Sequence, residues 1–176
     1  MRKIFTVSLL TFFMMSLFSG CDLINLDSGA GSYGVITISE RTDLVPVGRL
    51  PNGKMVMKNL VEKSDGSGGV YTLALSSDAS NSVSLIFSAS ASMYSCVKVG
   101  SFCIVNATSG HPAISITDVS ADFKISMYRA STGTVHFESL NPLKVRFENV
   151  RMDPQSYSGN HASGSFRING TISENK

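Results

Sequence analysis

From Gly34 onward, large apolar residues recur at every second position over short stretches of the chain. This alternation is typical of β-strands that bury one side and expose the other. The clearest stretches are 71–75, 83–89, 123–127, 135–137, 143–148 and 166–172. Residues that favour turns separate many of these stretches, at 51–53, 65–69, 77–81, 131–133 and 141–142. The pattern predicts antiparallel strands with short connections.

No stretch of residues 34–176 carries apolar residues at helical spacing over more than two turns with a credible cap. We therefore expect a single all-β domain of about nine to eleven strands. An antiparallel β-sandwich and a small β-barrel both satisfy the pattern, and the sequence does not choose between them. We expect the core to be filled by Phe87, Phe123, Phe137, Phe147 and Phe166.

The first twenty residues follow a different pattern. Two cations, Arg2 and Lys3, precede an apolar run that extends to Phe18, which is typical of an export signal. At roughly 15 residues the run is shorter than the ~20 that a bilayer-spanning helix needs, so a retained transmembrane anchor is the weaker interpretation. Ordinary signal peptidase requires small residues three and one before the cut, and Phe18 fails the first condition.

The segment Leu17-Phe18-Ser19-Gly20-Cys21 resembles the lipobox of bacterial lipoproteins, although that family usually has Leu where Phe18 stands. The resemblance implies that the signal peptide ends at Gly20 and that Cys21 carries covalent lipid, the one attached group expected. Two or three acyl chains would give stable anchoring, because each buried methylene adds about 0.8 kcal/mol. The alternative for Cys21 is a buried or disulfide-bonded side chain.

The resemblance places the protein in the bacterial cell envelope, facing the periplasm or the cell surface. Asp22 resembles the residue that keeps some enteric lipoproteins in the inner membrane, and both membranes stay open. Residues 21–33 form the lipidated N-terminus and a Gly/Ser-rich flexible tether, and residues 34–176 form the β-domain. Once Arg2 and Lys3 leave with the signal, 13 basic residues face 13 acidic ones. This neutrality argues against nucleic acid as a partner.

Two cysteines, Cys96 and Cys103, remain once Cys21 is assigned to lipid. In an oxidising compartment such a pair predicts a disulfide. In a β-hairpin the two would face each other across a loop centred on Val99 and Gly100. Closing so short a loop stabilises by roughly 2.5 kcal/mol. The spacing differs from the redox motif C-x-x-C, so we interpret the bond as a structural brace.

Motifs for chemistry are weak. Residues 48–54 match seven positions of the phosphate-binding loop, but Met55 replaces the Ser or Thr that holds magnesium, so no nucleotide is expected. The histidines His111, His136 and His161 are widely separated, which argues against a metal site, and His136 is expected to be exposed on the polar face of a strand. The many serines occur without a nucleophile motif.

The segment from Asp153 through Tyr157 to His161 holds the best concentration of unusual side chains. It is either a recognition loop or an ordinary Gly-rich connection. Without a catalytic constellation, we expect a non-enzymatic, membrane-anchored envelope lipoprotein that binds a protein partner in assembly, secretion or surface contact. The alternative is a carrier of a small apolar ligand or lipid in a barrel interior. An envelope hydrolase is the least favoured interpretation.

Overall fold

A computed structural model describes residues 31–42, 50–64, 66–78, 82–109 and 112–176. The signal peptide, the predicted lipidation site Cys21 and His111 lie outside the described residues. The described part consists of strands, their connections and one 3-10 turn at Ser67–Gly69. The strands are β1 (Gly34–Ser39), β2 (Gly53–Met57), β3 (Asn59–Lys63), β4 (Val70–Ser76), β5 (Val83–Ser90), β6 (Phe102–Asn106), β7 (Ala113–Val119), β8 (Ile125–Leu140), β9 (Leu143–Pro154) and β10 (Phe166–Ser173). The predicted all-β class is confirmed.

All strand pairs in the described chain are antiparallel and belong to one sheet. Its order is β2-β1-β10-β9-β8-β7-β5-β4-β3, with β6 attached to β8. The two ends of this order, β2 and β3, are separated in sequence only by Lys58. The Lys58 N–H donates a hydrogen bond to the Ser76 carbonyl at the end of β4, 2.9 Å away. The sheet therefore nearly closes into a barrel.

The longest strand, β8, is shared by two neighbours on the same edge. Its first residues, 125–129, pair with β7, and residues 132–136 pair with β6. The predicted turn at 131–133 is wrong, because these residues lie inside β8. They coincide with shifts in the β8–β9 register at Ala130/Thr132 and Thr132/Thr134. Small and polar residues mark a β-bulge here, since bulges and turns favour the same residue types.

The interior of the sheet is filled with packed aromatic rings. The Phe87 ring centroid lies 6.1 Å from that of Phe137 and 6.2 Å from that of Phe147. Phe166, also buried, packs edge-on against Tyr128 at 4.8 Å. These four phenylalanines confirm the predicted core.

Phe123 is the exception, because its side chain is 86% exposed. It lies in a tight turn before β8, where its N–H donates to the Ser120 carbonyl at 3.0 Å and its φ is 61°. The predicted strand at 123–127 therefore begins two residues later, at Ile125. Alternation in the sequence cannot distinguish the last turn residues from the first strand residues.

The disulfide between Cys96 and Cys103 is confirmed. The hairpin considered for it is wrong, because Cys96 lies in the irregular segment between β5 and β6, whereas Cys103 lies on β6. β6 pairs with the distant β8 and not with the chain that immediately precedes it. The bond therefore fastens an irregular segment, in which Val97 is buried, onto a strand of the sheet.

Replacing Gly133 with Ala should lower the free energy of unfolding by about 3 kcal/mol, because a side chain there is both strained and obstructed. Gly133 has a φ of 126°, and an added Cβ would lie 2.5 Å from the Val150 Cα. The matched control is Gly100→Ala, where φ is 75° but no atom lies within 4 Å. That variant should lose only about 1 kcal/mol. Equal losses for the two variants in urea unfolding would contradict the bulge explanation.

Candidate functional site

A surface groove of about 510 Å³ lies where the first half of β8 meets the chain that leaves β9. Ala107, residues 129–131 of β8 and residues 153–157 line it. We call it the Arg129 groove. Because its two long walls are antiparallel neighbours in the sheet, the strand register fixes their relative position.

The groove brings together two of the three predicted recognition residues. Asp153, near the end of β9, and Tyr157, whose side chain is 43% exposed, both line it. His161 is exposed but does not line the groove, and its backbone N–H donates to the Ile125 carbonyl at 3.0 Å. The structure therefore assigns His161 to the attachment of the loop rather than to the groove.

Asn160 fastens the loop between β9 and β10 to β8. Its Oδ1 accepts hydrogen bonds from the N–H groups of Met127 and Ala162, at 2.9 and 3.0 Å. Its Nδ2 donates to the carbonyls of Met127 and Gln155, at 3.0 and 2.6 Å. Sequence reasoning missed Asn160, although Asn beside Gly in a loop commonly bonds to nearby backbone. Its position keeps residues 155–157 against the groove.

The Asp153 carboxylate is held by two donors. The Ser131 hydroxyl donates to its Oδ2 at 2.5 Å, and the Arg151 Nε donates to its Oδ1 at 2.9 Å. Partial burial raises the pKa of Asp153, but these hydrogen bonds more than offset that effect and leave the pKa below its ordinary value. Asp153 is therefore an ionised, oriented carboxylate in the groove wall.

Arg129 lies directly opposite Asp153 in the strand register, yet the two side chains form no ion pair. Both Asp153 oxygens are already occupied by Ser131 and Arg151. Within the described ranges, the Arg129 guanidinium has no hydrogen-bond or ion-pair partner. The groove thus carries an exposed cation with which no described side chain pairs.

A second cluster of charges covers the outer face of β8 and β9. His136 Nε2 lies 2.6 Å from Glu148 Oε2, and the Arg146 guanidinium donates to the same oxygen at 3.3 Å. The hydrogen bonds of His136 and then Arg146 hold the pKa of Glu148 below its ordinary value. The predicted polar-face position of His136 is correct, but Glu148 and the Phe102 ring partly cover it. These mutually paired charges form a surface network.

Asp118 and Asp122 occupy different surroundings. Asp118 is buried and accepts a hydrogen bond from the Leu50 N–H at 3.1 Å. Asp122 lies in the turn before β8, where Lys124 and Ser120 hydrogen bonds lower its pKa to about 2. The two carboxyls therefore serve separate structural contacts.

The part of the chain that the structure describes contains no group of three or more His, Cys, Asp or Glu side chains placed to hold a metal ion. In the same residues, no helix has the length and apolar character to cross a membrane. The sequence matches no protein-family model, and comparison with curated proteins and with solved structures gave no match.

Replacing Ser131 with Ala should raise the pKa of Asp153 toward its ordinary value of about 3.9, because one of the two donors is lost. The carboxyl shift of Asp153 in an NMR pH titration measures this change. Ser156→Ala is the matched control, since Ser156 lines the same groove without bonding to Asp153. A similar titration in wild type and Ser131→Ala would contradict the assignment.

Ser131→Ala should also make the free energy of unfolding less dependent on pH in the acid range. The pKa of Asp153 is depressed in the folded chain, so its ionisation stabilises the fold above the unfolded-state pKa of about 3.9. That stabilisation is lost as the pH falls through the folded-state value. Ser131→Ala should therefore be less stable than wild type at neutral pH, and the difference should diminish in acid.

Proposed function

We propose that this chain is a lipid-anchored envelope protein whose β-domain binds a protein partner, without catalysis, through the Arg129 groove. The observation that carries the proposal is the exposed Arg129 guanidinium, with which no described side chain pairs, in an open groove that Tyr157 also lines. Arg and Tyr are among the residues that most often anchor protein interfaces. A carboxylate of the partner, placed between Arg129 and Tyr157, would accept hydrogen bonds from the Arg129 guanidinium.

The walls of the groove support binding because they are already ordered. Ser131 and Arg151 orient Asp153, and Asn160 fastens the loop that carries Tyr157. A surface ordered in advance loses less conformational freedom when a partner binds, and so binds more tightly. The Asp153 charge is already met by Ser131 and Arg151, whereas no described side chain pairs with Arg129. The partner should therefore present an acidic group.

The envelope location is supported by the resemblance of residues 17–21 to a lipobox. Cys21 would hold the acyl chains, and the Gly/Ser-rich tether would connect it to the β-domain. The confirmed disulfide is consistent with an oxidising compartment. Both the inner and the outer membrane remain compatible with the proposal.

The alternative of an apolar-ligand carrier is less well supported. A carrier needs an open interior, whereas the rings of Phe87, Phe137 and Phe147 pack against one another at about 6 Å inside the sheet. Filling a barrel with side chains in this way produces a core and leaves the outer surface for recognition. We therefore retain the protein-binding function as the proposal.

Charge reversal at Arg129 should weaken partner capture at least about tenfold, because an interface cation would be replaced by a repelling carboxylate. The measurement is in-cell crosslinking of tagged protein followed by purification and quantitative mass spectrometry of the bound protein. Lys58→Glu is the matched control, since Lys58 is exposed and does not line the groove. Unchanged capture by Arg129→Glu, or no reproducible partner of the wild type, would contradict the proposal.

Replacing Cys21 with Ala should release the protein from the membrane fraction or block its maturation, because no thiol remains to be acylated. Fractionation of cells with immunoblotting measures the distribution and the size of the chain. Ser19→Ala is the control, because it keeps a small residue and the cysteine of the lipobox-like segment. A Cys21→Ala protein that is still processed and membrane-bound would refute the anchor.

A further inference from the structure

Strand β6 has an open edge. Its only strand partner in the described chain is β8. Phe137 N–H donates to the Ser101 carbonyl and Ala107 N–H donates to the Ser131 carbonyl, at 3.0 and 3.1 Å. In an antiparallel pair, alternate residues direct their backbone groups toward opposite edges. The N–H and C=O groups of Phe102 and Ile104 therefore point away from β8.

The outward side chains on this edge are apolar. Phe102 is 56% exposed and Ile104 is 69% exposed. The alternate residues Cys103 and Val105 are buried. Residues 99–110 contain no charged side chain and no proline. Natural proteins usually protect open edges with Lys, Pro or a covering element. An edge of this composition is suited to pairing with another strand.

We propose that β6 pairs, antiparallel, with β6 of a second copy of this chain. If the twofold axis passes through the Cys103 position, Phe102 of each copy lies opposite Ile104 of the other. The dimer then contains two such pairs. Each of these pairs exchanges two backbone hydrogen bonds, so four bonds satisfy all of the outward N–H and C=O groups of Phe102 and Ile104 in both copies. The pairing also creates two aromatic–β-branched cross-strand contacts, which are among the favourable pairs in sheets.

The charge pattern permits two identical copies to pair. A twofold axis brings identical groups together, which is unfavourable where those groups are charged. β6 and its flanking residues 99–110 are uncharged, so two copies meet without repulsion. On the outer face of the neighbouring β8, His136 already forms a hydrogen bond with Glu148 within each copy. The disulfide at Cys103 further restricts the strand before it pairs.

Two five-residue strands bury less than the ~1,000 Å² typical of stable complexes, so the association should be weak and best detected by covalent capture. The full-length chain is expressed in cells in two forms with different epitope tags. Phe102 is replaced by a photo-crosslinking phenylalanine analogue. Irradiation should give a product of twice the chain mass that carries both tags. The same analogue at Ile86, an exposed apolar position on the interior strand β5, should give none.

Substitutions at Ile104 test the backbone pairing. Ile104→Pro removes an N–H that β8 does not use, so the fold is kept while crosslinking should fall at least tenfold. Ile104→Lys should have the same effect because it places a hydrated cation opposite Phe102 of the other copy, and it provides a second variant if the proline lowers the yield of folded protein. Ile104→Val keeps both strand geometry and apolar surface and should crosslink as wild type does.

A product that contains a different protein, or no product, overturns the proposal. Undiminished crosslinking in both Ile104→Pro and Ile104→Lys overturns it as well. The pairing is independent of the Arg129 groove, so Arg129→Glu should leave the two-tag product unchanged. A failure of partner capture through the groove can therefore be distinguished from a failure of self-pairing.

Discussion

The bulge of β9 at Asn149 is the constraint on which the rest of the sheet depends. The β8–β9 and β9–β10 registers both shift beside it, at Thr132/Thr134 and at Ile168/Gly170. Asn149 has a φ of 53°, and each neighbouring strand supplies a glycine at this level, Gly133 and Gly170. An added Cβ would lie 2.8 Å from the Asn149 carbonyl at Gly133 and 2.1 Å from the Val35 carbonyl at Gly170. A bulge bends its strand, and glycines on both neighbouring strands allow them to follow it closely, so one sheet can curl until its ends nearly meet.

The bend also explains why β8 can serve two neighbours and two surfaces. Its first half follows β7 and presents Arg129 and Ser131 to the groove. Beyond the bulge its second half follows β6 and supports the open edge at Phe102. Ser131 is the extra residue of β8 between Ala130 and Thr132 in the register with β9. Its hydroxyl donates a hydrogen bond to the Asp153 carboxylate. A second bulge, on β8, therefore orients the groove.

Much of this fold was predictable because period-two alternation directly reports which side of a strand is buried. Phe87, Phe137, Phe147 and Phe166 were placed in the core for that reason, and the Cys96–Cys103 bond followed from counting cysteines. The turn predicted at 131–133 was wrong because glycine and serine favour bulges as much as turns. Phe123 was misplaced because alternation continues into the turn before β8. Strand order and the attachment of β6 depend on contacts between distant residues, which local pattern does not contain.

The candidate site was predictable only in part, for a related reason. Asp153 and Tyr157 stood out as unusual side chains close together in sequence, and they do share the groove. Arg129 could not be found in that way, because it lies 24 residues before Asp153 in the chain. Only the pairing of β8 with β9 brings the two residues together. Asn160 acts through four hydrogen bonds to backbone, a role that its residue type permits but does not reveal.

A membrane anchor would change what these two surfaces can do. Lipid at Cys21 would confine every copy to one surface, where even a short edge such as β6 meets other copies often enough to pair. Residues 129–131 of β8 line the groove, whereas residues 132–136 support the edge strand β6. A pair of anchored copies would then offer two grooves to one partner. Two weak contacts acting together bind far more tightly than either alone, provided that the partner can span both.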